Sequence, residues 1–279
     1  MKEAREWFRY IKAALDSNIS ESEQVAIAFL ILEDFSVSKS SVVSNIPAKI
    51  DINRLEKIIS RINHGEPIQY ILGYAWFYNR KFKVNQDVLI PRPETELLID
   101  EILKFKDKGT ETVLLDLGTG SGIIPVTTGL LRPSWKIFAT DVSSAALEVA
   151  RQNAEVLGLD VNWICSDMLT TVPEIIGGVD VLVSNPPYIS VDEKFTLQRQ
   201  VVDFEPHLAL FGSESDPLNF YRAIQGIGKK LLKPGGSILV EINERYGVEV
   251  QNIFYEAGYE SVQVIADLDG KSRIVRVDA

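Results

Sequence analysis

The sequence has 279 residues and is 46% hydrophobic, so it can form one large or two moderate domains with a sizeable core. Residues 1–90 contain 12 Lys and Arg against 11 Asp and Glu, whereas the remainder contains 17 against 28, and this acidic excess disfavours long-range attraction to nucleic-acid phosphates. No apolar run reaches the ~18 residues of a transmembrane helix, and the charged N-terminus lacks the apolar segment of a signal peptide, so we expect a cytoplasmic protein that does not bind membranes.

Residues 1–65 are predicted to form a small helical bundle. Apolar residues recur at helical spacing between residues 3 and 15. Ser20 begins the run Ser-Glu-Ser-Glu, which fits a capping box for a second helix that extends through Leu32. Asp51 can cap a third helix, and this helix should end at His64-Gly65 because Pro67 prevents its continuation.

Residues 66–92 are predicted to form a β-hairpin linker. Two short runs, residues 75–78 and 81–84, are joined by Asn79-Arg80, as in a hairpin. The prolines of Ile90-Pro91-Arg92-Pro93 make a stiff connector, and a helix should follow from Thr95 to about Phe105. Composition alone favours a linker here over a binding site.

Residues 93–279 are predicted to form the larger domain, of the α/β class. Strands and helices alternate from residue 112, which indicates a parallel sheet with helices on both faces. The close pairing through Asp269-Gly270 makes the last two strands antiparallel, so we expect a seven-stranded, mostly parallel, Rossmann-like sheet. The predicted strands are residues 112–117, 136–141, 161–164, 181–184, 237–241, 262–265 and 274–277. Cys165 follows the third strand and is expected to be buried; as the single cysteine it excludes an internal disulfide.

The fourth predicted strand leads directly into Asn185-Pro186-Pro187-Tyr188. The prolines cannot continue a ladder, so the chain must leave the sheet at Asn185, and their fixed φ makes the loop stiff. Ligands of open α/β sheets bind outside the carboxyl ends of the strands. Such a loop can receive a planar group with an NH2, whose two hydrogens would be accepted by the Asn185 amide oxygen and a proline carbonyl. The alternative is a rigid turn that merely ends the strand.

A glycine-rich loop follows the first strand of the α/β domain. Its three glycines allow a ligand to approach the backbone closely, but the spacing matches neither a dinucleotide fingerprint nor a P-loop. Asp141 ends the second strand, where an acid can accept hydrogen bonds from ribose hydroxyls. After the third strand, Asp167 and Met168 are placed to flank an adenine through its amino group and one ring face. The predicted cofactor contacts are Gly118, Thr119, Gly120, Ser121, Gly122, Asp141, Asp167, Met168 and Asn185.

Each of these signals has a structural alternative when taken alone. A glycine-rich turn after a strand is often only a turn, and Asp141 could cap the helix that starts near Ser143. The joint spacing of the glycine loop, the acid of the second strand and the Asn-Pro-Pro-Tyr loop is more specific. His64 and His207 are the only histidines. We expect neither to be catalytic, and we expect no metal.

Together these residues resemble the class I S-adenosylmethionine-dependent methyltransferases, and most closely the bacterial release-factor glutamine methyltransferases. Segments that carry the closer resemblance are Gly65–Tyr70, Ile90–Glu96, Phe204–Pro206 and Asp216–Leu218. Two positions depart from the family pattern: Met168 stands where an aromatic is common, and Gly212–Ser215 is less glycine-rich than usual.

The resemblance implies a substrate, a cofactor and roles for residues. The substrate would be the glutamine of a Gly-Gly-Gln loop in peptide-chain release factors, methylated on its side-chain amide nitrogen (N5) with S-adenosylmethionine as methyl donor. Asn185, Pro186, Pro187 and Tyr188 would grip the glutamine amide, with Tyr188 packed on its plane. We expect a monomer that binds no nucleic acid directly, with the N-terminal bundle docking the protein substrate.

Other functions remain compatible with the sequence. An exocyclic amine of an adenine or guanine in RNA or DNA also fits the Asn185 loop, with the flipped base stacked on Tyr188. Against this stand the acidic catalytic half and the lack of an evident target-recognition domain. A glutamine in a ribosomal protein or another translation factor is a nearer alternative, and a non-enzymatic cofactor-sensing module is a third.

Overall fold

A computed structural model describes residues 2–105, 111–212 and 216–279, and it divides the chain into two compact units. The first unit comprises the chain as far as Gly73 together with Arg199–Phe204. The second comprises Tyr74–Gln198 and Glu205–Ala279. The domain boundaries at residues 65 and 92 stay a prediction, and most of the Gly212–Ser215 departure lies outside the described residues.

The first unit is helical and has a core of its own. Its N-caps include two of the predicted residues: the Ser20 hydroxyl accepts the Glu23 N–H at 3.3 Å, and Asp51 accepts the N–H groups of Asn53 and Arg54. Apolar faces of the three long helices bury side chains such as Ile11 and Leu55. The helices are Ala4–Ala14, Glu21–Asp34, Lys39–Val43, Ile52–Asn63, Ile68–Leu72 and Arg199–Phe204, and one short strand pair joins Lys2–Glu3 to Pro47–Ala48.

The second unit contains the predicted sheet of seven strands. In chain order these strands are β1 (Val113–Leu117), β2 (Lys136–Asp141), β3 (Asn162–Cys165), β4 (Val179–Ser184), β5 (Leu232–Glu241), β6 (Ser261–Ala266) and β7 (Ser272–Asp278). They lie in the order β6-β7-β5-β4-β1-β2-β3. Strands β1 to β5 pair in parallel, and β7 pairs antiparallel with both β5 and β6. The prediction of a seven-stranded, mostly parallel sheet is confirmed.

Helices cover both faces of the sheet, so the central strands are apolar on both sides. Alternate residues of β1 and β4 belong to different cores: Leu114 and Val181 to one, Leu115 and Leu182 to the other. Continuous apolar runs are typical of such doubly covered parallel strands. The longer helices of this unit are Glu96–Leu103, Ile123–Leu131, Ser144–Val156, Asn219–Leu231 and Gly247–Glu256.

The β-hairpin pairs Tyr74–Phe77 with Arg80–Lys83. Its two turn residues, Tyr78 and Asn79, both have positive φ, as a two-residue type I′ turn requires. Phe77 and Phe82 are buried in one of the two cores of the sheet, whereas Trp76 is exposed. The turn lies one residue earlier than the predicted Asn79-Arg80, because Arg80 already pairs with Phe77.

Three local expectations differ from the structure. Strand β5 begins at Leu232, five residues before the predicted start, because the helix before it already ends at Leu231. Cys165 is exposed rather than buried; it ends β3, which is the outermost strand of the sheet. The helix predicted from Thr95 to about Phe105 begins at Glu96 and runs only to Leu103. Among the described residues, no helix has the length and apolarity needed to cross a membrane.

Candidate active site

A cavity of about 340 Å3 opens at the carboxyl ends of β1, β2 and β4. Parallel strands bring the loops that follow them to one edge of the sheet, so residues far apart in sequence meet there. Nine of the twelve predicted site residues line this cavity: Gly118, Thr119, Gly120, Ser121, Asp141, Asp167, Met168, Asn185 and Pro187. The other three, Gly122, Pro186 and Tyr188, do not line it.

The glycine loop after β1 is held in shape by the end of β2. The N–H groups of Gly118 and Thr119 both donate to the Thr140 carbonyl at 2.9 Å. Asp141 accepts the Gly120 N–H through Oδ2 at 2.8 Å and the Ser143 N–H through Oδ1 at 2.9 Å. Burial raises the pKa of Asp141, and these backbone hydrogen bonds oppose that shift.

The three glycines of the loop have different surroundings. All three have positive φ, at +74°, +54° and +78° for Gly118, Gly120 and Gly122. A Cβ at Gly120 would meet no atom within 4 Å, so this position borders open space. A Cβ at Gly122 would lie 2.9 Å from Cβ of Ala150, which gives Gly122 a packing role between the loop and the helix Ser144–Val156.

Several buried polar atoms at the cavity have no hydrogen-bond partner among the described residues. The Ser166 hydroxyl belongs to a cavity-lining residue and is unpartnered within the described part of the chain. The Thr119 hydroxyl acts on the buried Asp116 carboxylate behind the glycine loop, although neither forms a hydrogen bond of standard geometry with a described residue. Burial raises the pKa of Asp116 to about 7, with the Thr119 hydroxyl lowering it and Asp141 raising it. Because buried polar groups are normally paired, the Ser166 hydroxyl fits a polar group of a bound ligand.

Asp167 and Met168 form another part of the cavity wall. The carboxylate Oδ1 of Asp167 accepts the Leu169 N–H at 2.9 Å, so the turn after β3 uses one of its two oxygens. The Met168 methyl would lie 3.0 Å from a Cβ built on Gly118. Glycine at position 118 therefore makes room for the Met168 side chain against the loop.

Asn185 lies where β4 ends, with its side chain held from behind. Its Nδ2 donates to the Thr95 hydroxyl at 3.1 Å, and its Oδ1 has no hydrogen-bond partner among the described residues. Pro187 lines the cavity beside it. This arrangement leaves an amide oxygen available to accept an N–H from a molecule in the cavity.

The hydroxyl of Tyr188 points to the end of β5. The hydroxyl donates to Oε1 of Glu241 at 3.1 Å, and the ring packs with the core on one face of the sheet. Burial, followed by the nearby Glu241 carboxylate, raises the pKa of Tyr188. In this structure Tyr188 anchors the loop to the end of β5.

Thr95 and Glu241 are site residues that the sequence analysis missed. Both are buried, at 1% and 2% exposure. Burial raises the pKa of Glu241 to about 7, and the hydroxyls of Thr95 and Tyr188 lower it. The sequence signal for Glu241 was an acid at the end of a predicted strand, and Thr95 was predicted only as the first residue of a helix.

The proline-rich connector is also part of the cavity wall. Arg92 lines the cavity and pairs with the buried carboxylate of Glu205, with Nη2 2.6 Å from Oε1. The second oxygen of Glu205 accepts the Ile90 N–H at 3.2 Å. Glu205 thus joins residues 90–92 to Pro206, another residue of the wall. Pro91 and Arg92 of this connector, and Thr95 just after it, line the cavity, which composition alone did not indicate.

Neither histidine lines the cavity. His64 caps its helix, with Nδ1 2.6 Å from the Ser60 carbonyl oxygen. His207 begins a short helix, His207–Leu210, and meets the Phe211 ring edge-on. Within residues 2–105, 111–212 and 216–279, no group of His, Cys, Asp and Glu is arranged to hold a metal ion.

Two family models match the chain, one in each part of the sequence. The model for the methyltransferase small domain matches residues 93–208, and the model for the PrmC N-terminal domain matches residues 6–73. The first match includes both the glycine loop and the Asn185 loop.

Relatives with high similarity extend over nearly the whole chain. A release factor glutamine methyltransferase of Bacteroides thetaiotaomicron is 39% identical over 274 residues, which cover 95% of this chain and 96% of the relative. A protein of the same name from Flavobacterium psychrophilum is 35% identical over 272 residues, covering 95% of each chain.

One solved structure supports the fold over nearly the full length. The crystal structure of the hMettl16 catalytic domain, in complex with an RNA hairpin of the MAT2A 3′ UTR, has a TM-score of 0.57 and 16% identity to this chain. It covers 98% of this chain and 90% of its own. At that identity the likeness concerns the fold alone.

Proposed function

We infer that this chain, which belongs to the release factor glutamine methyltransferase family, transfers a methyl group from S-adenosylmethionine to a glutamine side chain of a peptide-chain release factor. The acceptor atom is the amide nitrogen N5, and the glutamine is that of the Gly-Gly-Gln loop. The observation that carries the proposal is the position of Asn185, whose amide oxygen is free beside the same cavity that the glycine loop lines.

The residues of the cavity fit S-adenosylmethionine. Asp141 would accept hydrogen bonds from the ribose hydroxyls, and Asp167 and Met168 would flank the adenine. The unpartnered hydroxyl of Ser166 offers a partner for one of its polar groups. When bound, S-adenosylmethionine supplies a methyl group on a positively charged sulfur, which activates the methyl carbon towards a nucleophile.

Asn185 would orient the glutamine amide and stabilise charge on it. An amide nitrogen is a weak nucleophile because its lone pair is delocalised into the carbonyl. Methyl transfer would place positive charge on the amide nitrogen. The Asn185 oxygen would accept one N–H and stabilise that charge, and the Pro186 carbonyl, next to the cavity-lining Pro187, would accept the other. One proton would pass from the nitrogen to solvent after transfer.

Positioning of the amide nitrogen would supply much of the remaining rate acceleration of methyl transfer. A stiff loop after β4 loses few conformations when the amide binds. Holding the nitrogen about 3–3.5 Å from the methyl carbon converts a bimolecular encounter into a near-attack geometry. The proline-bounded loop is anchored by Thr95 through Asn185 and by Glu241 through Tyr188.

Further parts of the proposal concern the protein as a whole. The first unit docks the release factor, because a single loop offers little surface for recognising one protein among many. The enzyme acts as a monomer in the cytoplasm, without direct contact to nucleic acid. The net charge of −10 supports the last point, since long-range attraction to phosphates is weak for such a chain.

The test is a transfer assay with radiolabelled S-adenosylmethionine. Full-length release factor, purified without prior methylation, is incubated with the enzyme beside a release factor in which the Gly-Gly-Gln glutamine is changed to alanine. We expect label in the first protein only, at one residue identified by mass spectrometry. Equal label in both proteins, or label in added RNA and none in protein, would overturn the proposal.

A further inference from the structure

A buried polar chain lies behind the Asn185 loop. Asn185 Nδ2 donates to the Thr95 hydroxyl at 3.1 Å. Thr95 in turn acts on the carboxylate of Glu241, whose Oε1 also receives the Tyr188 hydroxyl at 3.1 Å. Tyr188 is therefore bonded directly to the carboxylate at the end of β5, and Asn185 is bonded to Thr95, which acts on the same carboxylate.

The hydroxyl of Thr95 decides which way the Asn185 amide faces. A hydroxyl has one hydrogen to donate and lone pairs to accept. If Thr95 donates that hydrogen to Glu241, its oxygen can only accept from Asn185, so Nδ2 turns inward and Oδ1 faces the cavity. If Thr95 instead donates to Asn185, the amide turns over and its NH2 faces the cavity.

Glu241 is placed to accept the hydrogen of the Thr95 hydroxyl. Its Oε2 is buried without a hydrogen bond of standard geometry among the described residues, so it has capacity for the Thr95 hydrogen. Besides Thr95 and Tyr188, the charged groups that act on Glu241 are Glu94, which raises its pKa, and Arg273, which lowers it. Arg273 is itself paired with Asp267 at 2.7 Å, so it does not neutralise Glu241 alone.

We propose that Thr95 and Glu241 are positioning residues that hold the Asn185 amide with its oxygen towards the substrate. The inference rests on the proposed function, because it concerns the grip on the glutamine NH2. In the reversed amide, the Asn185 NH2 would face the N–H groups of the substrate. It could not accept their hydrogens, and it would destabilise the positive charge that develops on the substrate nitrogen.

The proposal has a consequence for pH. Ionised Glu241 can only accept, whereas the protonated carboxyl can donate to Thr95 and so permit the reversed amide. With a pKa of about 7 raised by burial, kcat should rise with pH through that region. Glu241→Gln resembles the protonated form, because its amide NH2 donates to Thr95 at every pH. This variant should have a low kcat that no longer changes across the same range.

The experiment compares variants of the full-length enzyme on unmodified release factor. Thr95→Val removes the hydroxyl at nearly constant volume, and Thr95→Ser is its control because it keeps the hydroxyl. We expect Thr95→Val to lower kcat on the order of tenfold to a hundredfold, with Thr95→Ser close to wild type. The dissociation constant for S-adenosylmethionine, measured by calorimetry, should change little in either variant, which separates positioning from a loss of folding.

The outcomes separate this inference from the proposed function. A wild-type enzyme that labels no release factor would refute the proposed function. If wild type labels the release factor but Thr95→Val retains its kcat, the inference is wrong and the function stands. The inference is also wrong if kcat falls at low pH in Glu241→Gln just as it does in wild type. If Glu241→Gln does not fold, the comparison of Thr95→Val with Thr95→Ser decides the question.

Discussion

Asp141 and Gly120 are joined by a 2.8 Å hydrogen bond, in which the Gly120 N–H donates to the carboxylate at the end of β2. The acid proposed to bind ribose therefore also shapes the glycine loop beside it. Ligand recognition and loop geometry depend on the same side chain, and a change at this position affects both.

Asp141→Ala should weaken the binding of S-adenosylmethionine. The variant loses the hydrogen bonds to the ribose hydroxyls and releases the Gly120 N–H, each worth on the order of 1–3 kcal/mol for a charged acceptor. We expect the dissociation constant to rise at least tenfold by calorimetry. Asp160→Ala, at an exposed carboxylate away from the cavity, is the control. Unaltered affinity in Asp141→Ala would remove this residue from the site.

Asn185→Ala should lower kcat much more than it weakens cofactor binding. Loss of one acceptor for the developing charge costs about 3 kcal/mol in the transition state, or roughly a hundredfold in kcat. The measurement is turnover at saturating release factor and S-adenosylmethionine. Turnover equal to wild type under those conditions would contradict the role assigned to the Asn185 oxygen.

Asp116→Asn should change how stability depends on pH. The pKa of Asp116 is raised from 3.8 to about 7, so between these values the folded protein holds a proton that the unfolded chain has released. This contribution to stability is present at low pH and is lost as pH rises through about 7. An asparagine does not titrate. The free energy of unfolding of Asp116→Asn minus that of wild type should therefore increase by about 3 kcal/mol between pH 5 and pH 8.

The Asp116 prediction is checked by urea unfolding of both proteins at several pH values without ligand. Asp160→Asn provides a matched change at an exposed position. A difference between Asp116→Asn and wild type that stays constant from pH 5 to pH 8 would show that Asp116 is not stabilised in its protonated form.

Gly122→Ala should destabilise the fold more than Gly120→Ala. Both substitutions place a Cβ at positive φ, which costs about 1–2 kcal/mol. At Gly122 the new Cβ would also lie 2.9 Å from Cβ of Ala150, and overpacking of this kind costs typically 1–3 kcal/mol more. Thermal unfolding of the two variants measures the difference, and equal melting temperatures would argue against the packing role of Gly122.

Gly120→Ala has a different expected defect. Its Cβ would point into open space where no protein atom lies within 4 Å, so the fold tolerates it better than the cofactor does. The loss of binding free energy for S-adenosylmethionine, measured by calorimetry, should exceed the loss of unfolding free energy, measured by thermal unfolding. The opposite order of effects would indicate that the ligand does not approach Gly120.

Sequence reasoning located the parts of the site that are local in the chain. The glycine loop and the Asn185 loop each follow directly from an apolar strand, and parallel pairing brings such loops to one edge of a sheet. Asp141 was predictable for the same reason, because it ends the second predicted strand of the sheet. The fold class was predictable too, because the alternation of strands and helices after residue 112 is a pattern of the sequence itself.

The residues that sequence reasoning missed act across long separations. Thr95 and Glu241 are separated by more than half of the chain. Glu241 reaches Tyr188 because the sheet places β5 beside β4, whereas Thr95 reaches Asn185 from the turn before the helix Glu96–Leu103. Packing of the Tyr188 ring on the substrate amide stays a prediction, and no local sequence feature shows that a buried carboxylate binds its hydroxyl. The helices Lys39–Val43 and Ile68–Leu72 have only five residues each, too few for a helical period to be recognised.

The exposed thiol at the end of β3 offers a spectroscopic handle on the enzyme. Cys165 is the single cysteine of the sequence, and its Sγ lies 3.7 Å from the carbonyl oxygen of Val142, a residue of the cavity wall. A thiol-reactive fluorophore would therefore label the native chain at one position beside the cavity, with no engineered cysteine. Its emission during rapid mixing would time the arrival of the methyl donor and the departure of the spent product in every variant described above.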